Sequence, residues 1–491
     1  MQESIKMKKK FVTNLILILS LNLLIKPFWI FGIDRTVQNI VGAESYGAYF
    51  ALLNISFLFN IFLDLGITNF NNRNIAQNNQ LLNKHFSGIV VMKFFLSVVY
   101  LAITLIYVFL FSYSNAQIFV LLVLCFNQFL ASFILYLRSN ISGLYMFRTD
   151  SILSVLDRLL MIIICGTILW GNITVRPFRI EWFIYSQTIA YFITLIIALS
   201  IVVKKAAFKR IRWNIPFFLV IFKHSFPFAL LVLLMNFYYR IDGIMLERML
   251  KNGAEQAGIY AAAFRLLDAG FMIAYLFAAL LLPIFAKMIK EKEKIEEMLK
   301  LSFSLIIVPV IIIAVCSFFY NYKIMGFLYH ENVENSAKVF GILMLCFVAI
   351  SGSYIFSTLL TANGNLKYLN LIALLGMFIN ISLNYLLIPH FMSLGSAYAS
   401  LITQFTVWFL QMVASVLIFK IKINYKYVSS LIVYIIIVIF ITFFSKEVNS
   451  NWLIKISATV ALSLLFAFML KLINIKDLYK IIFKSPSVNI K

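Results

Sequence analysis

Residues 299–320 read LKLSFSLIIVPVIIIAVCSFFY. The stretch carries one charge, Lys300 near its edge, and matches the roughly 20 mostly apolar residues that a membrane-spanning helix needs. Similar stretches follow one another along the 491 residues, with gaps too short for a soluble domain. The chain is 63% hydrophobic and 12% charged, with a mean hydropathy of +0.95. A water-soluble surface could not carry so much apolar area. The sequence therefore predicts an all-α integral membrane protein.

The apolar stretches predict about fourteen spans. The first follows Lys6, Lys8, Lys9 and Lys10, and we interpret it as a retained span, since it exceeds a signal-peptide core and no small-residue cleavage pattern follows. We place the spans at 11–33, 43–69, 84–110, 116–139, 151–170, 181–203, 216–241, 257–287, 299–320, 338–361, 367–388, 392–420, 427–444 and 452–473.

The placement of lysine and arginine predicts the topology. With a cytoplasmic amino terminus, 28 of the 42 lysines and arginines fall in cytoplasmic segments and nine in segments on the opposite side. Such an excess is the positive-inside pattern of membrane proteins. It explains the formal charge of +23 without nucleic acid as a partner, and it predicts that both termini are cytoplasmic.

Two segments indicate an internal repeat. Ile33-Asp34 precedes GAESYGAYFA at 42–51, and Ile241-Asp242 precedes GAEQAGIYAA at 253–262. The match relates span 1 to span 7 and span 2 to span 8 in the same orientation, which predicts a parallel six-helix repeat about an axis along the membrane normal. Chance similarity between small-residue segments is the alternative. The repeat predicts a lobe of spans 1–6 at 1–203, a basic cytoplasmic connector at 204–215, a lobe of spans 7–12 at 216–420, two added spans at 427–473 and a cytoplasmic tail at 474–491.

Five cations within the predicted spans are counted with neither side of the membrane, and they are the candidate binding residues. A charge near the bilayer centre costs about 2.5–3.5 kcal/mol, so each cation must face protein, water or substrate. Lys26 and Arg265 lie at similar depth, roughly 10–12 Å below the outer surface, as a shared cavity requires. Together they could hold an anionic group such as a pyrophosphate. The five are Lys26, Lys93, Arg158, Arg240 and Arg265.

Most of these cations also have a structural interpretation. Arg240 could extend its side chain to the membrane surface, and Arg265 and Asp268 could neutralise each other on one helix face. Arg158 adjoins Asp157 in the sequence. Lys26 has no acid within one turn and lies beside Pro27, which should bend the helix.

Candidate carboxylates and hinges complete the predicted machinery. Asp64, Asp157, Asp242 and Asp268 are the carboxylates that could line the cavity or hold a coupling ion. Asp64 could equally form a hydrogen bond at a helix end. Pro27, Pro227 and Pro283 are candidate hinges for a rocking motion, or static bends.

Enzyme and metal motifs are missing from the sequence. The four cysteines have no metal or redox spacing, the four histidines are scattered, and neither a phosphate-binding glycine loop nor a nucleophile elbow occurs. We therefore expect no catalytic residue, metal or cofactor. A polysaccharide polymerase, the main enzymatic alternative, would carry a longer external loop.

Several short motifs occur in the order typical of one family. They are Gly42–Phe50 with Phe62–Gly66 and Asn72–Ala76, then Tyr239–Asp242 with Gly258–Tyr260, then Leu360–Gly364 with Lys367, Asn380, Asn384, Ile388-Pro389 and Gly395–Ala399. In these features the chain resembles the polysaccharide biosynthesis flippases, which export O-antigen and capsule units, within the multidrug/oligosaccharidyl-lipid/polysaccharide exporter superfamily.

The resemblance implies a V-shaped pair of six-helix lobes around a central cavity, alternating access, and a bacterial inner-membrane location. It implies undecaprenyl-pyrophosphate-linked oligosaccharide as cargo, membrane lipids as surroundings, and a polysaccharide polymerase and chain-length regulator as partners. A multidrug exporter, a lipid II flippase and a membrane enzyme of polysaccharide assembly remain alternatives.

Overall fold

The computed structural model describes residues 20–22, 24–68, 71–72, 75, 78, 80–171, 176–206, 215–422 and 424–473, apart from the side chains of residues 215–221, 224, 225 and 279. Every regular element within these ranges is a helix, as the sequence predicts. The amino-terminal lysines, the start of the first predicted span, most of the basic connector and the tail 474–491 lie outside the described residues.

Thirteen α-helices, numbered in chain order, are described. Residues Trp29–Asp34 form a π-helical turn before α1, and Asn60–Leu63 form a 3₁₀ turn after it. The helices are α1 Arg35–Leu58, α2 Leu81–Leu110, α3 Asn115–Gly143, α4 Phe147–Trp170, α5 Ile180–Lys205, α6 Ile215–Met249, α7 Gly253–Lys290, α8 Glu296–Phe319, α9 Asn321–Leu328, α10 Val333–Ala362, α11 Leu366–Phe419, α12 Tyr425–Ser445 and α13 Trp452–Met469.

Eleven helices in the described part of the chain are long and apolar enough to cross a membrane. The 54-residue α11 contains a break at Met392 (φ 52°, ψ −133°), three residues after Pro389. This break separates the predicted spans 367–388 and 392–420. The predicted spans 11–33 and 43–69 have no counterpart among the eleven, so the count of fourteen stays a prediction.

The first two predicted spans are joined differently from the prediction. Residues 34–42 were expected to connect them outside a helix, but the chain stays helical through the π turn to Val41 and breaks only at Gly42. Ile33 and Val37 are fully buried, and their packing keeps this stretch helical. Gly42 has φ 80° and ψ 166°, a backbone conformation that side chains rarely permit.

The chain divides into two compact units, residues 1–261 and 262–491. The boundary falls inside α7, so the first unit contains α1–α6 and the start of α7. Its core joins α2–α5 through residues such as Phe86, Tyr136, Leu153 and Val202. The boundary between the two predicted lobes is the connector at 204–215, not a point inside α7. The division into lobes therefore stays a prediction.

The second unit places its last two helices against α8. Ile307 of α8, Tyr434 of α12 and Ala467 of α13 are almost completely buried in one cluster. The outward side of α12 and α13 is apolar, with Phe440 and Leu465 more than half exposed. Exposed apolar side chains on long helices suit contact with lipid.

The two segments of the predicted repeat contact each other in the first unit. A Cβ atom added to Gly47 would lie 1.8 Å from the carbonyl oxygen of Ala254, and one added to Gly258 would lie 1.9 Å from that of Ala43. Ala43 corresponds to Ala254 in the repeat, and Gly47 to Gly258. Such reciprocal contacts are what a twofold relation between the repeats requires, and small residues allow the close approach.

Candidate functional site

A group of five charged residues lies between the first predicted span, α3 and α4. Arg138 Nε lies 2.7 Å from Asp150 Oδ1, and Arg158 Nε lies 3.7 Å from Asp157 Oδ2. The charges of Arg158, Asp157 and Arg138 act on the partly buried ammonium group of Lys26. We call Lys26, Arg138, Asp150, Asp157 and Arg158 the cation cluster.

The cation cluster has one more positive charge than negative. Each arginine has a carboxylate beside it, whereas Lys26 forms no ion pair or hydrogen bond within the described residues. A partly buried ammonium group without such a partner remains available to an anion. Two predicted site residues, Lys26 and Arg158, are thus brought together in one unit.

Aromatic and polar side chains surround the cation cluster. The guanidinium carbon of Arg158 lies 5.6 Å from the ring centroid of Trp29 and 5.9 Å from that of Tyr191. Trp29 in turn stacks on Phe183 at 5.5 Å. Asn22 Nδ2 donates to Ser154 Oγ at 3.3 Å. The surroundings therefore combine cationic, amide, hydroxyl and aromatic groups.

Pro27 stands directly before the π turn Trp29–Asp34. The helical residues run from 24 through this turn into α1, and the bend expected at Pro27 stays a prediction. Such π turns are frequent at functional sites. Pro227 and Pro283 lie within α6 and α7, and no non-helical residue is recorded beside either of them. A hinge role stays a prediction for all three prolines.

Lys93 and Asp64 form a buried ion pair. The ammonium group of Lys93, on a side chain only 2% exposed, donates to Asp64 Oδ1, to Leu63 O at 3.0 Å and to Ser132 Oγ at 2.9 Å. These three acceptors use all three of its donors. Asp64 also accepts from the backbone N–H and hydroxyl of Thr68. The geometry favours a structural role for both residues over the predicted contacts with pyrophosphate and a coupling ion.

Two buried aspartates occupy matched places in the repeat. Asp242 is 1% exposed and accepts from Tyr260 OH at 2.6 Å, and Asp34 is 3% exposed and accepts from Tyr46 OH at 2.9 Å. In each case the tyrosine lies in the following helix, so the pair joins the end of one predicted span to the start of the next. Arg240, close to Asp242 in the sequence, has its guanidinium carbon 5.1 Å from the ring centroid of Phe57.

Arg265 belongs to the second unit and lies beside Asp268. The Nη1–Oδ2 distance is 3.9 Å, and both side chains are largely buried. The pair fits the alternative expectation that the two charges neutralise each other on one helix face. Contact between Arg265 and the same pyrophosphate as Lys26 stays a prediction.

Sequence reasoning missed Arg138 and Asp150 as members of the cation cluster. Arg138, at the end of the predicted span 116–139, was counted among the cytoplasmic cations, and Asp150 lies just before the predicted span 151–170. The helices extend further than predicted, with α3 ending at Gly143 and α4 beginning at Phe147. A short turn between two helices brings residues on either side of it together, and the spacing of Arg138 and Asp150 across the turn was the available signal.

Within the described residues, no three or more histidine, cysteine, aspartate or glutamate side chains are grouped so as to hold a metal ion. The four cysteines are buried and form no disulfide.

The fold is shared with solved flippase and exporter structures. A structure described as the lipid II flippase MurJ, in an inward closed conformation, matches with a TM-score of 0.68 at 16% identity, covering 96% of this chain and 99% of that chain. An inward-facing multidrug resistance MATE family transporter of the MOP superfamily matches with a TM-score of 0.62 at 14% identity, covering 83% and 100%. A MOP superfamily transporter from Pyrococcus furiosus matches with a TM-score of 0.54 at 13% identity, covering 84% and 96%. At these identities the similarity establishes the exporter fold.

Comparison with protein families identifies the family of the chain. Residues 11–289 match the family described as polysaccharide biosynthesis protein, and residues 227–386 match the MatE family. Because the first match spans more than half of the chain, the chain belongs to the polysaccharide biosynthesis protein family. Comparison with curated proteins gave no match.

Proposed function

We propose that the protein is a flippase that moves undecaprenyl-pyrophosphate-linked oligosaccharide units, of O-antigen, capsule or exopolysaccharide, across a bacterial inner membrane by alternating access. The pyrophosphate binds at the cation cluster, with Lys26 as the main contact. Membership of the family and the exporter fold support this class of function.

The observation that carries the proposal is that Lys26, on which the charges of Arg158 and Asp157 act, forms no ion pair or hydrogen bond within the described residues. A cation in a membrane segment is costly, and a pyrophosphate with several anionic oxygens would stabilise it. Arginine can bind such a group through a forked pair of donors, whereas lysine acts as a point charge. The partly buried ring of Tyr191 lies beside the same charges, where a sugar ring could contact it, whereas Trp29 is buried and stacks on Phe183.

Arg240 and Arg265 are further candidates for the pyrophosphate at another stage of transport. The cytoplasmic termini, the two-lobe motion and association with a polymerase and a chain-length regulator belong to the same proposal. The surrounding lipid bilayer would hold the lipid tail of the substrate.

A lipid II flippase is the second candidate, because the MurJ match covers nearly the whole of both chains. Its substrate would use the same cations, so the cation cluster does not separate the two. A multidrug exporter of cationic drugs would favour carboxylates without cationic partners. Both carboxylates of the cation cluster lie beside arginines, which makes that function the weaker candidate.

Complementation tests the proposal. The wild-type chain, Lys26→Ala, Lys26→Arg and the control Lys84→Ala, which removes an exposed lysine from α2, are expressed in a strain lacking its polysaccharide flippase. Surface polymer should return with the wild type and the control, return partly with Lys26→Arg, and fail with Lys26→Ala at equal membrane level. Rescue of a strain depleted of its lipid II flippase, without surface polymer in the first strain, would favour the second candidate. Equal polymer with Lys26→Ala would refute the role of Lys26.

A further inference from the structure

A cavity of about 580 Å³ lies in the second unit, whereas the cation cluster belongs to the first. One side is formed by the end of α8 and the start of α9, and the other by the connection between α12 and α13. Three lysines line it, Lys323 from the first side and Lys446 and Lys455 from the second. Phe319 and Trp452 provide apolar walls.

The three lysines have no acidic partner among the described residues. No aspartate or glutamate lines the cavity, and none of the three forms an ion pair within the described residues. Glu447 adjoins Lys446 in the sequence but is exposed and is not part of the lining. Lys455 Nζ donates to the carbonyl oxygen of Lys446 at 2.8 Å, which leaves it two further donors. Three like charges around one space repel each other, and a bound anion would relieve that repulsion.

Two helices begin at this cavity. The lining includes Asn321 and Tyr322 at the start of α9, and Asn451 and Trp452 at the start of α13. Asn451 Oδ1 caps α13 by accepting from the backbone N–H of Leu453 at 3.0 Å. Helix amino termini carry partial positive charge and favour anions. The helix ends therefore add to the field of the lysines.

The cavity lies where the apolar helices end. The apolar run of α12 stops at Ser445 and that of α13 begins at Trp452, so the connection between them lies at the edge of the hydrocarbon layer. Tryptophan and tyrosine, both present in the lining, are typical of this level. Phe444 and Leu453, at the adjoining ends of α12 and α13, are about half exposed and extend the apolar surface towards lipid.

We propose that this cavity binds the phosphate of an anionic phospholipid headgroup, with the lipid's acyl chains lying along α12 and α13. The ammonium groups of Lys323, Lys446 and Lys455 contact the phosphate, and Phe319 and Trp452 contact its glycerol and upper acyl carbons. The predicted topology puts this site on the non-cytoplasmic side. The site does not depend on the proposed flippase activity.

Native mass spectrometry of the purified full chain tests the site. Phosphatidylglycerol is titrated in the presence of phosphatidylcholine, using the wild type, the triple variant Lys323→Gln/Lys446→Gln/Lys455→Gln and the corresponding triple arginine variant. A control triple variant, Lys290→Gln/Lys292→Gln/Lys294→Gln, removes equal charge from an exposed stretch. We expect the cavity glutamine variant to bind phosphatidylglycerol roughly 10- to 100-fold more weakly, and the control and arginine variants to bind like the wild type.

A second measurement locates the lipid. The Trp452 signal, taken as the difference between the wild type and Trp452→Phe, should be quenched by brominated phosphatidylglycerol more than by brominated phosphatidylcholine. Equal binding by the cavity and control glutamine variants, or equal quenching by the two lipids, would overturn the proposal. Inorganic phosphate binding that the cavity glutamine variant loses, together with equal binding of phosphatidylglycerol and phosphatidylcholine, would overturn the assignment to a lipid, since it would identify the ligand as free phosphate.

Discussion

Gly47 and Gly258 meet where α1 and α7 come together, with no space for a side chain at either position. A Cβ atom on Gly47 would lie 2.4 Å from the backbone nitrogen of Gly258. Gln38 Nε2 reinforces the contact by donating to the carbonyl oxygen of Gly258 at 3.0 Å. The two glycines occupy the same place in the two halves of the predicted repeat, so one close contact joins the repeats at their matched positions.

The Gly47 contact predicts a steric effect of one added methyl group. Gly47→Ala would press Cβ against the backbone of α7, which cannot move as a side chain can. We expect the apparent unfolding temperature of the purified protein to fall by roughly 2–10 °C. Gly326→Ala is the control, because its Cβ would meet only Val333 Cγ1 at an ordinary 3.5 Å. An unchanged unfolding temperature for Gly47→Ala would contradict the close packing of Gly47 against the backbone of α7.

The ion pair between Lys93 and Asp64 predicts a stability defect. Lys93→Met leaves the Asp64 carboxylate partly buried without its cation, which should destabilise the protein by about 3–5 kcal/mol. The double variant Lys93→Met/Asp64→Leu should recover much of that loss in denaturant unfolding, because it leaves neither charge without its partner. A Lys93→Met protein as stable as the wild type but inactive in complementation would instead support substrate contact by Lys93.

The buried aspartates Asp34 and Asp242 predict similar losses of stability when their tyrosine donors are removed. Tyr260→Phe removes a donor to Asp242, and Tyr46→Phe removes a donor to Asp34. Each change should cost about 1.5–3 kcal/mol, the range for hydrogen bonds to charged groups. Tyr425→Phe, at a side chain that is 78% exposed, should cost almost nothing. If Tyr46→Phe and Tyr260→Phe match that control, the aspartates do not need these donors.

A hydrogen bond in the first unit allows a test of alternating access. Gln117 Nε2, at the start of α3, donates to Glu247 Oε1, near the end of α6, at 3.1 Å. If transport requires these helices to separate, a disulfide between Gln117→Cys and Glu247→Cys should stop polymer export under oxidising conditions, and a reductant should restore it. Either cysteine alone is the control. Full export by the oxidised, cross-linked protein would mean that this contact need not open.

Hydropathy predicted much of the fold. The all-helical class and the break near Met392 follow from apolar length and from Pro389, which are local properties of the sequence. The helical continuation to Gly42 was not predictable in this way, because it depends on the burial of Ile33 and Val37 by neighbouring helices.

The candidate site was only partly predictable. A cation inside a span is visible in the sequence, and this identified Lys26 and Arg158. The sequence does not show whether a distant partner neutralises such a cation. Lys93 forms an ion pair with Asp64 from another part of the chain, whereas Lys26 forms no ion pair within the described residues, although the charge of Asp157 acts on it.

Direct binding tests the central claim that Lys26 holds the pyrophosphate of a lipid-linked substrate. The affinities of the purified wild type, Lys26→Arg, Lys26→Ala and the control Lys84→Ala are measured for undecaprenyl pyrophosphate and undecaprenyl monophosphate. We predict that Lys26→Ala weakens pyrophosphate binding by roughly 10- to 100-fold and monophosphate binding by less, while Lys26→Arg and Lys84→Ala stay close to the wild type. Equal pyrophosphate affinity for Lys26→Ala and the wild type would contradict the claim.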